Sequence, residues 1–120
     1  MVGNVLVVDD DTMLADAVAG SLRRAGYPTL TAYSCQEALA AVEQDPTGLL
    51  VLDLTLPDGD GLSLLQALRQ KSLPAETPVI VVSSRLVTRS ELRSHKVTEF
   101  LPKPFDVRRL LSRVEALAGA

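Results

Sequence analysis

Short apolar runs alternate along the chain with segments of helical periodicity. The runs are VLVV at 5–8, PTLTAY at 28–33, LLVLDL at 49–54, VIVV at 79–82 and FLP at 100–102. Between and after them, apolar residues recur at three- and four-residue steps, which is typical of helices that bury one side. The chain therefore reads as strand then helix, repeated five times. This order predicts a parallel sheet covered by helices on both faces.

The polarity of each run predicts its place in the sheet. A parallel strand that is buried on both faces reads as a continuous apolar stretch, as the first, third and fourth runs do. The half-polar second run and the short fifth run are then expected at the edges. These constraints favour a (βα)5 doubly wound, five-stranded sheet of order 2-1-3-4-5, a flavodoxin-like three-layer sandwich. We expect residues 1–120 to form a single domain.

Capping residues mark the starts and ends of the predicted helices. Asp11 precedes the first helix, and Gly26 is placed to end it. Ser34 with Glu37 forms a capping-box pattern before the second helix. Asp106 can cap the last one. The helix boundaries are therefore predicted independently of the apolar pattern.

Composition excludes several classes of protein. The net charge is −3 and there is no long basic run, so we expect no direct binding of nucleic acid. The apolar runs have the length of strands, so we expect no membrane span. The single cysteine, Cys35, cannot form an internal disulfide. We therefore expect a reducing, cytoplasmic location.

Polar and charged side chains follow the predicted strands at their carboxyl ends. Asp9 and Asp10 end the first strand, Asp53 ends the third, Ser83 ends the fourth and Lys103 ends the fifth. In open α/β sheets these ends meet at the ligand-binding crevice, so we expect the three carboxylates to converge there. Carboxylate oxygens select Mg²⁺ or Mn²⁺. A carboxylate can also attack phosphorus, and a metal, a lysine and a hydroxyl would neutralise the phosphoryl oxygens.

These residues and their spacing resemble the receiver domain of two-component response regulators over essentially the whole chain. The matching stretches are VLVVDDD at 5–11, DLTLPDGDG at 53–61, VIVVSS at 79–84 and FLPKPF at 100–105. The Asp-Asp pair, the D-x-x-x-P-x-x-x-G run and the Lys-Pro pair are weak signals singly and highly specific together. The resemblance implies a phosphoacceptor domain that catalyses its own phosphorylation and dephosphorylation.

The resemblance also implies a role for each matched residue. Asp53 would be the phosphoacceptor, and it would bind Mg²⁺ with Asp10 and the backbone carbonyl of Thr55. Asp9 would act through a metal-bound water, and Lys103 would pair first with Asp53 and then with the phosphoryl oxygens. The other matched positions are the switch residues Ser83 and Phe100, the access position Ser84, and the structural residues Pro57, Gly61 and Pro104, the last of which would follow a cis peptide bond.

The partner that the resemblance implies is a sensor histidine kinase or a histidine phosphotransfer protein. Phosphorylation would repack the surface formed by the fourth helix, fifth strand and fifth helix. That surface would then act on an effector domain or output protein, or would form a homodimer.

The chain departs from the family in this region. The stretch between Ser83 and Lys103 is short, and Lys96 and Val97 replace a usual Gly-Ala pair. The fourth helix, over 86–96, is also weak in propensity and periodicity.

Three other functions are weighed against the residues. A receiver-like interaction module that is not phosphorylated would keep the fold. The intact acids, hydroxyl and lysine argue against it, and the irregular fourth helix leaves it open. A haloacid-dehalogenase-type phosphatase needs a second acid two residues after its nucleophile, where this chain has Thr55. A flavodoxin needs a phosphate loop rich in Ser, Thr and Gly after the first strand. This chain has DDDT there, which repels phosphate unless a cation is present.

Overall fold

The computed structural model of the protein describes residues 1–118. Its strands are β1 (Asn4–Val8), β2 (Thr29–Ala32), β3 (Thr47–Asp53), β4 (Thr55–Leu56), β5 (Gly59–Asp60), β6 (Val79–Ser83) and β7 (Glu99–Pro102). Its helices are α1 (Thr12–Arg24), α2 (Cys35–Gln44), α3 (Gly61–Lys71), α4 (Arg89–Ser94) and α5 (Val107–Ala118). Within the described residues, no helix combines the length and apolarity that a membrane crossing requires.

Five parallel strands form the main sheet, in the order β2-β1-β3-β6-β7. The two short strands β4 and β5 form a separate two-stranded sheet, an antiparallel hairpin between β3 and α3. Counting the strands of the main sheet alone, the order is the predicted 2-1-3-4-5, and the flavodoxin-like architecture is confirmed. The predicted edge strands are also the observed edges, β2 and β7.

Side chains of the central strands alternate between two apolar layers. Leu50 and Leu52 of β3 pack with α2 and α3 on one face of the sheet. Leu49 and Val51 pack with α1 and α5 on the other face. All four side chains are buried. This period of two, with both faces covered, explains why the third run is apolar at every one of these positions.

The register of the sheet brings three strand ends together. Val8 lies beside Leu52, and Asp53 lies beside Val82, in parallel pairs. Asp9 follows Val8 directly, so it leaves β1 next to the end of β3. The predicted crevice is therefore present, between the ends of β1 and β3.

Most capping predictions are confirmed, and one is wrong in part. Asp11 caps α1, and Asp106 accepts a backbone N–H at the start of α5. Ser34 accepts from the Glu37 N–H at 3.1 Å, as expected. The Glu37 carboxylate, however, accepts from the Tyr33 N–H at 3.0 Å, so no reciprocal capping box forms at α2. Ser34 is extended, at φ −155° and ψ 167°, which places the preceding amide within reach of that carboxylate instead.

Helix α4 is shorter than the predicted fourth helix, and none of its six residues is buried. A capping box between Thr88 and Glu91 starts the helix. Just beyond its end, Lys96 has a left-handed φ of 56°, a conformation that is unfavourable for residues other than glycine. Arg69 of α3 donates to the Lys96 carbonyl at 3.3 Å. Polar contacts at its two ends and the half-buried side chains of Val87 and Val97, which pack against the apolar layer, hold this short helix.

Candidate functional site

The ammonium group of Lys103 lies between two buried carboxylates. Its Nζ donates to Asp9 Oδ2 at 2.8 Å and to Asp53 Oδ2 at 3.1 Å. Asp9 is 3% exposed and Asp53 is 5% exposed, so water scarcely solvates either charge. The sequence predicted the pairing of Lys103 with Asp53. It did not predict the contact with Asp9, which the register of β1 and β3 creates.

The second oxygen of each buried carboxylate faces a backbone donor. Asp9 Oδ1 accepts from the Asp11 N–H at 2.9 Å. Asp53 Oδ1 accepts from the Thr55 N–H at 3.4 Å, which is a long and weak contact. Asp9 is thus held firmly at both oxygens, whereas one oxygen of Asp53 is only loosely engaged. Such an oxygen is suited to attack an electrophile.

The two charged groups at the centre of the site shift each other's proton affinity. Burial raises the pKa of Asp53, and the negative charge of Asp9 adds to this, while Lys103 and the Thr55 N–H lower it by less in total. Burial lowers the pKa of Lys103, but the hydrogen bonds and charges of Asp9 and Asp53 raise it by more. The lysine therefore stays cationic at neutral pH, and Asp53 sits where further positive charge would stabilise its anion.

Three carboxylates meet at this crevice, as predicted. Asp9, Asp10 and Asp53 each offer an oxygen, and these atoms lie within 4.8 Å of one another. Asp10 is exposed, so one side of the cluster is open to water. Thr55 opens β4 and contacts Asp53, which places its backbone beside the cluster. Hard oxygen donors at this spacing fit a small divalent cation such as Mg²⁺.

The predicted switch residues lie in the last two main strands, Ser83 at the end of β6 and Phe100 within β7. Ser83 ends β6 and is buried, and its Oγ accepts from the Arg85 N–H at 3.0 Å. Phe100 lies in β7, half-buried against the apolar layer that contains α2 and α3. In the described part of the chain, the Ser83 hydroxyl makes no hydrogen bond with the carboxylates of the crevice.

An open groove of about 350 Å³ leads to the central lysine. It is lined by Leu14, Ser84, Lys103, Pro104 and Phe105. Ser84 is exposed there, as its predicted access position requires. The Lys103–Pro104 peptide bond is cis. A reactant of moderate size can therefore approach Lys103 from this side.

Gly61 lies where a side chain would collide with the backbone around the acceptor. Its N–H donates to the Leu54 carbonyl at 2.8 Å. A Cβ atom at Gly61 would lie 2.5 Å from the Asp53 carbonyl oxygen and 2.6 Å from Leu54 Cα. Pro57 lies in the turn between β4 and β5. The loop after β3 thus packs closely because residue 61 has no side chain.

Two acidic residues of the β4–β5 hairpin, for which the sequence predicted no role, tie it to neighbouring elements. Asp58 accepts from the Cys35 N–H at 2.8 Å and the Gln36 N–H at 3.1 Å. These bonds lower the pKa of Asp58. Asp60 caps α3 and pairs with Arg85 at 3.0 Å. The cap could have been read from the Asp before the apolar helix pattern, but the contacts with α2 and Arg85 have no signal in the sequence.

A sequence model described as the response regulator receiver domain matches residues 5–115. The chain belongs to the response regulator receiver family.

Curated relatives of this receiver domain are longer regulators. RpaA of Synechocystis, described as a DNA-binding dual master transcriptional regulator, is 33% identical over 115 residues, which is 94% of this chain and 48% of that protein. The phosphate regulon transcriptional regulatory protein PhoB of Pseudomonas aeruginosa is 30% identical over 120 residues, 98% of this chain and 52% of that protein. The chain thus spans about half the length of the curated relatives it matches.

Solved structures give the same family and the same fold. The chemotaxis protein CheY4 of Vibrio cholerae is 27% identical with a TM-score of 0.88, covering 98% of this chain and 99% of that one. The receiver domain of the Francisella response regulator 1452 is 31% identical with a TM-score of 0.85, covering 98% and 97%. The predicted family and its function as a two-component receiver domain are confirmed. A flavodoxin, a phosphatase or a phosphorylation-independent module is not favoured.

Membership of the family implies metal binding and interaction partners of a general kind. Receiver domains generally bind Mg²⁺ at an acidic pocket, and this chain has the matching cluster of three aspartates. Receiver domains also interact with kinases and effector domains. The residues of the crevice therefore have to support the binding of Mg²⁺.

Proposed function

We propose that this chain is a single receiver domain that takes a phosphoryl group onto Asp53 from the phosphohistidine of a sensor histidine kinase or a histidine phosphotransfer protein. The observation that carries the proposal is the pairing of one lysine with two buried carboxylates. Only one of the two, Asp53, keeps an oxygen that is loosely engaged. We place the exchange in the cytoplasm, where kinases of this class make the phosphohistidine.

The residues of the crevice would hold one Mg²⁺ or Mn²⁺ ion. Asp10, Asp53 and the backbone carbonyl of Thr55 would bind it directly. Asp9 would act through a metal-bound water, a role supported by its direct bonds to Lys103 and the Asp11 N–H. When bound, the ion supplies positive charge that offsets repulsion between the carboxylates and the phosphoryl oxygens.

The transfer itself is a single displacement at phosphorus. An Asp53 carboxylate oxygen forms the new P–O bond while the P–N bond to the donor histidine breaks, and the electron pair returns to the imidazole. Lys103 transfers its hydrogen bond from the Asp53 carboxylate oxygen to the phosphoryl oxygens. Its bond to Asp9 keeps the ammonium group beside the reacting atoms during that change. Ser83 then turns its hydroxyl toward the phosphoryl group, and Phe100 follows. Water later hydrolyses the acyl phosphate and restores the carboxylate.

The positive charge of the surface at α4, β7 and α5 is suited to an output partner with acidic side chains. Residues 85–118 carry eight lysines and arginines and four acidic residues, whereas residues 1–84 carry four and eleven. Three of the four acids, Glu91, Glu99 and Asp106, are engaged within the chain, in the α4 cap, an ion pair with α5 and the start of α5. A symmetric homodimer through this surface would oppose positive charges. We therefore place an effector domain or output protein with acidic side chains there.

Phosphorylation is tested by intact-mass spectrometry after incubation with acetyl phosphate. We expect one phosphoryl adduct in Mg²⁺ and none in EDTA. Asp53→Asn is expected to abolish the adduct. Asp58→Asn, which alters an exposed acid of the same loop outside the crevice, is expected to keep it. Absence of an adduct in the parent, with Mg²⁺ binding demonstrated by calorimetry, would instead favour a receiver-like interaction module that works without phosphorylation.

A further inference from the structure

Arg85 connects the hydroxyl of Ser83 to the loop that follows the acceptor. The backbone N–H of Arg85 donates to Ser83 Oγ at 3.0 Å. The guanidinium group of the same residue pairs with Asp60 Oδ1 at 3.0 Å. One residue therefore holds the proposed switch hydroxyl through its main chain and reaches across the site with its side chain.

Asp60, at the other end of this connection, is held in place by further contacts. Its second oxygen, Oδ2, accepts from the Ser63 N–H at 3.1 Å and caps α3. In the β4–β5 hairpin, Asp60 pairs with Thr55, whose N–H contacts Asp53. The ion pair thus links the loop that leaves β6 to the loop that leaves β3, the two loops on either side of the proposed transfer.

We infer that the Arg85–Asp60 ion pair is a latch that holds Ser83 in its unphosphorylated position and that opens when phosphorylation draws the hydroxyl away. This inference rests on the proposed function. While the latch is closed, Arg85 keeps its backbone N–H directed at Ser83 Oγ. Turning the hydroxyl toward a phosphoryl group on Asp53 gives up that bond and leaves the Arg85 N–H without its acceptor, so the closed position of the loop becomes less favourable. Arg85 and Asp60 are then positioning residues, since neither touches the reacting atoms.

The Arg85–Asp60 ion pair is weak enough to open reversibly, as a switch requires. The two side chains are 40% and 44% exposed, and ion pairs in this setting contribute little, so their loss changes an equilibrium by up to about fivefold. A contact of that size biases the resting position without preventing the change. A deeply buried pair would oppose the movement far more strongly.

The test compares initial rates of phosphorylation by acetyl phosphate in Mg²⁺. Asp60→Asn removes the charge but keeps an oxygen to cap α3, and Arg85→Gln removes the other charge. A latch predicts that both variants react faster than the parent, by up to about fivefold, because each opens the same contact. The double variant should react no faster than either single variant, because the pair can be lost only once. Arg85→Lys should return the rate toward that of the parent.

A charge effect on the crevice alone gives a different result. Removing the Asp60 carboxylate would speed the approach of the anionic donor, and removing the Arg85 cation would slow it, so rates that move in opposite directions overturn the latch. An additive double variant overturns it too. Glu43→Gln is the matched control, because it breaks another exposed ion pair of the surface, with Lys71 at 3.5 Å, away from the site. This control should leave the rate unchanged.

A second readout separates the latch from phosphorylation. Hydrogen exchange of the Arg85 backbone amide, measured by NMR without acetyl phosphate, reports whether its bond to Ser83 opens. The latch predicts faster exchange in Asp60→Asn than in the parent and in Glu43→Gln, and unchanged exchange overturns it. If the parent takes no phosphoryl group, the proposed function fails, and the amide exchange still decides whether the ion pair holds Ser83.

Discussion

Lys103 lies closer to Asp9 than to the proposed acceptor, with its Nζ 2.8 Å from Asp9 Oδ2 and 3.1 Å from Asp53 Oδ2. The resting lysine is therefore anchored to a carboxylate that is not consumed in the reaction. When Asp53 carries a phosphoryl group, Asp9 keeps the ammonium beside it. The stability of the metal-free domain depends on the same lysine, because it is the cation shared by two buried acids.

Replacing Lys103 by Met should destabilise the domain in EDTA by about 3 kcal/mol, because two buried carboxylates then face each other without a cation. Mg²⁺ should recover part of this loss. Urea denaturation followed by circular dichroism measures both effects. Lys71→Met, at an exposed ion pair, is the control and should cost less than about 0.5 kcal/mol. A loss of similar size in the two variants would contradict a structural role for the Lys103 pairs.

Replacing Asp10 by Asn should stabilise the metal-free domain by up to about 1 kcal/mol, because it relieves repulsion with Asp9 and Asp53. The same change should weaken Mg²⁺ binding. Thermal unfolding in EDTA measures the first effect, and calorimetric titration with Mg²⁺ measures the second. A melting temperature in EDTA equal to or below that of the parent would count against a repulsive pocket.

Replacing Gly61 by Ala should destabilise the domain by about 1–3 kcal/mol, because the new methyl group has no room beside the backbone of Asp53 and Leu54. It should also slow phosphorylation by displacing the acceptor. Gly20→Ala is the matched control in α1, where an added Cβ would meet only the flexible end of Arg24, at 3.3 Å. That change should stabilise the domain by about 0.5–1 kcal/mol. Equal effects of the two substitutions would refute the packing argument.

The thiol of Cys35 should react slowly at neutral pH. Burial, together with the hydrogen bond and charge of Asp58, raises its pKa to about 11. Its thiolate fraction at pH 8 is then roughly a hundredfold lower than that of an ordinary cysteine. Alkylation by iodoacetamide should therefore accelerate about tenfold for each pH unit up to about pH 11. Asp58→Asn, which removes the charge, should speed alkylation, and a rate that levels off near pH 9 would contradict the shift.

The sequence predicts the sheet correctly because its signals are local. Continuous apolar runs identify the central strands, and acids at the ends of two of them locate the crevice from the sequence alone. The contact of Lys103 with Asp9 is harder to predict, because it depends on register and on which of two neighbouring carboxylates turns inward. Sequence identifies both acids but not the burial that distinguishes Asp9 from Asp10.

The contacts that the loops make with distant segments cannot be predicted from the sequence. The stretch PDGDG predicts a turn, but it does not predict that Asp58 bonds to α2 or that Asp60 reaches Arg85, because both contacts join distant segments. The weak pattern between 86 and 96 indicates the presence of a fourth helix but not its bounds, because α4 covers only Arg89–Ser94. The Arg69 contact that supports its end joins it to α3 and has no local signal. Tertiary contacts between loops decide these details.

The most direct measurement locates the phosphoryl group. The parent is treated with acetyl phosphate and Mg²⁺ and reduced with borohydride, which converts an aspartyl phosphate to homoserine, and its peptides are sequenced by mass spectrometry. We expect homoserine at position 53 alone, and none when EDTA replaces Mg²⁺. Homoserine at position 9 or 10, or none at any position in a protein that binds Mg²⁺, would contradict the assignment of Asp53 as the acceptor.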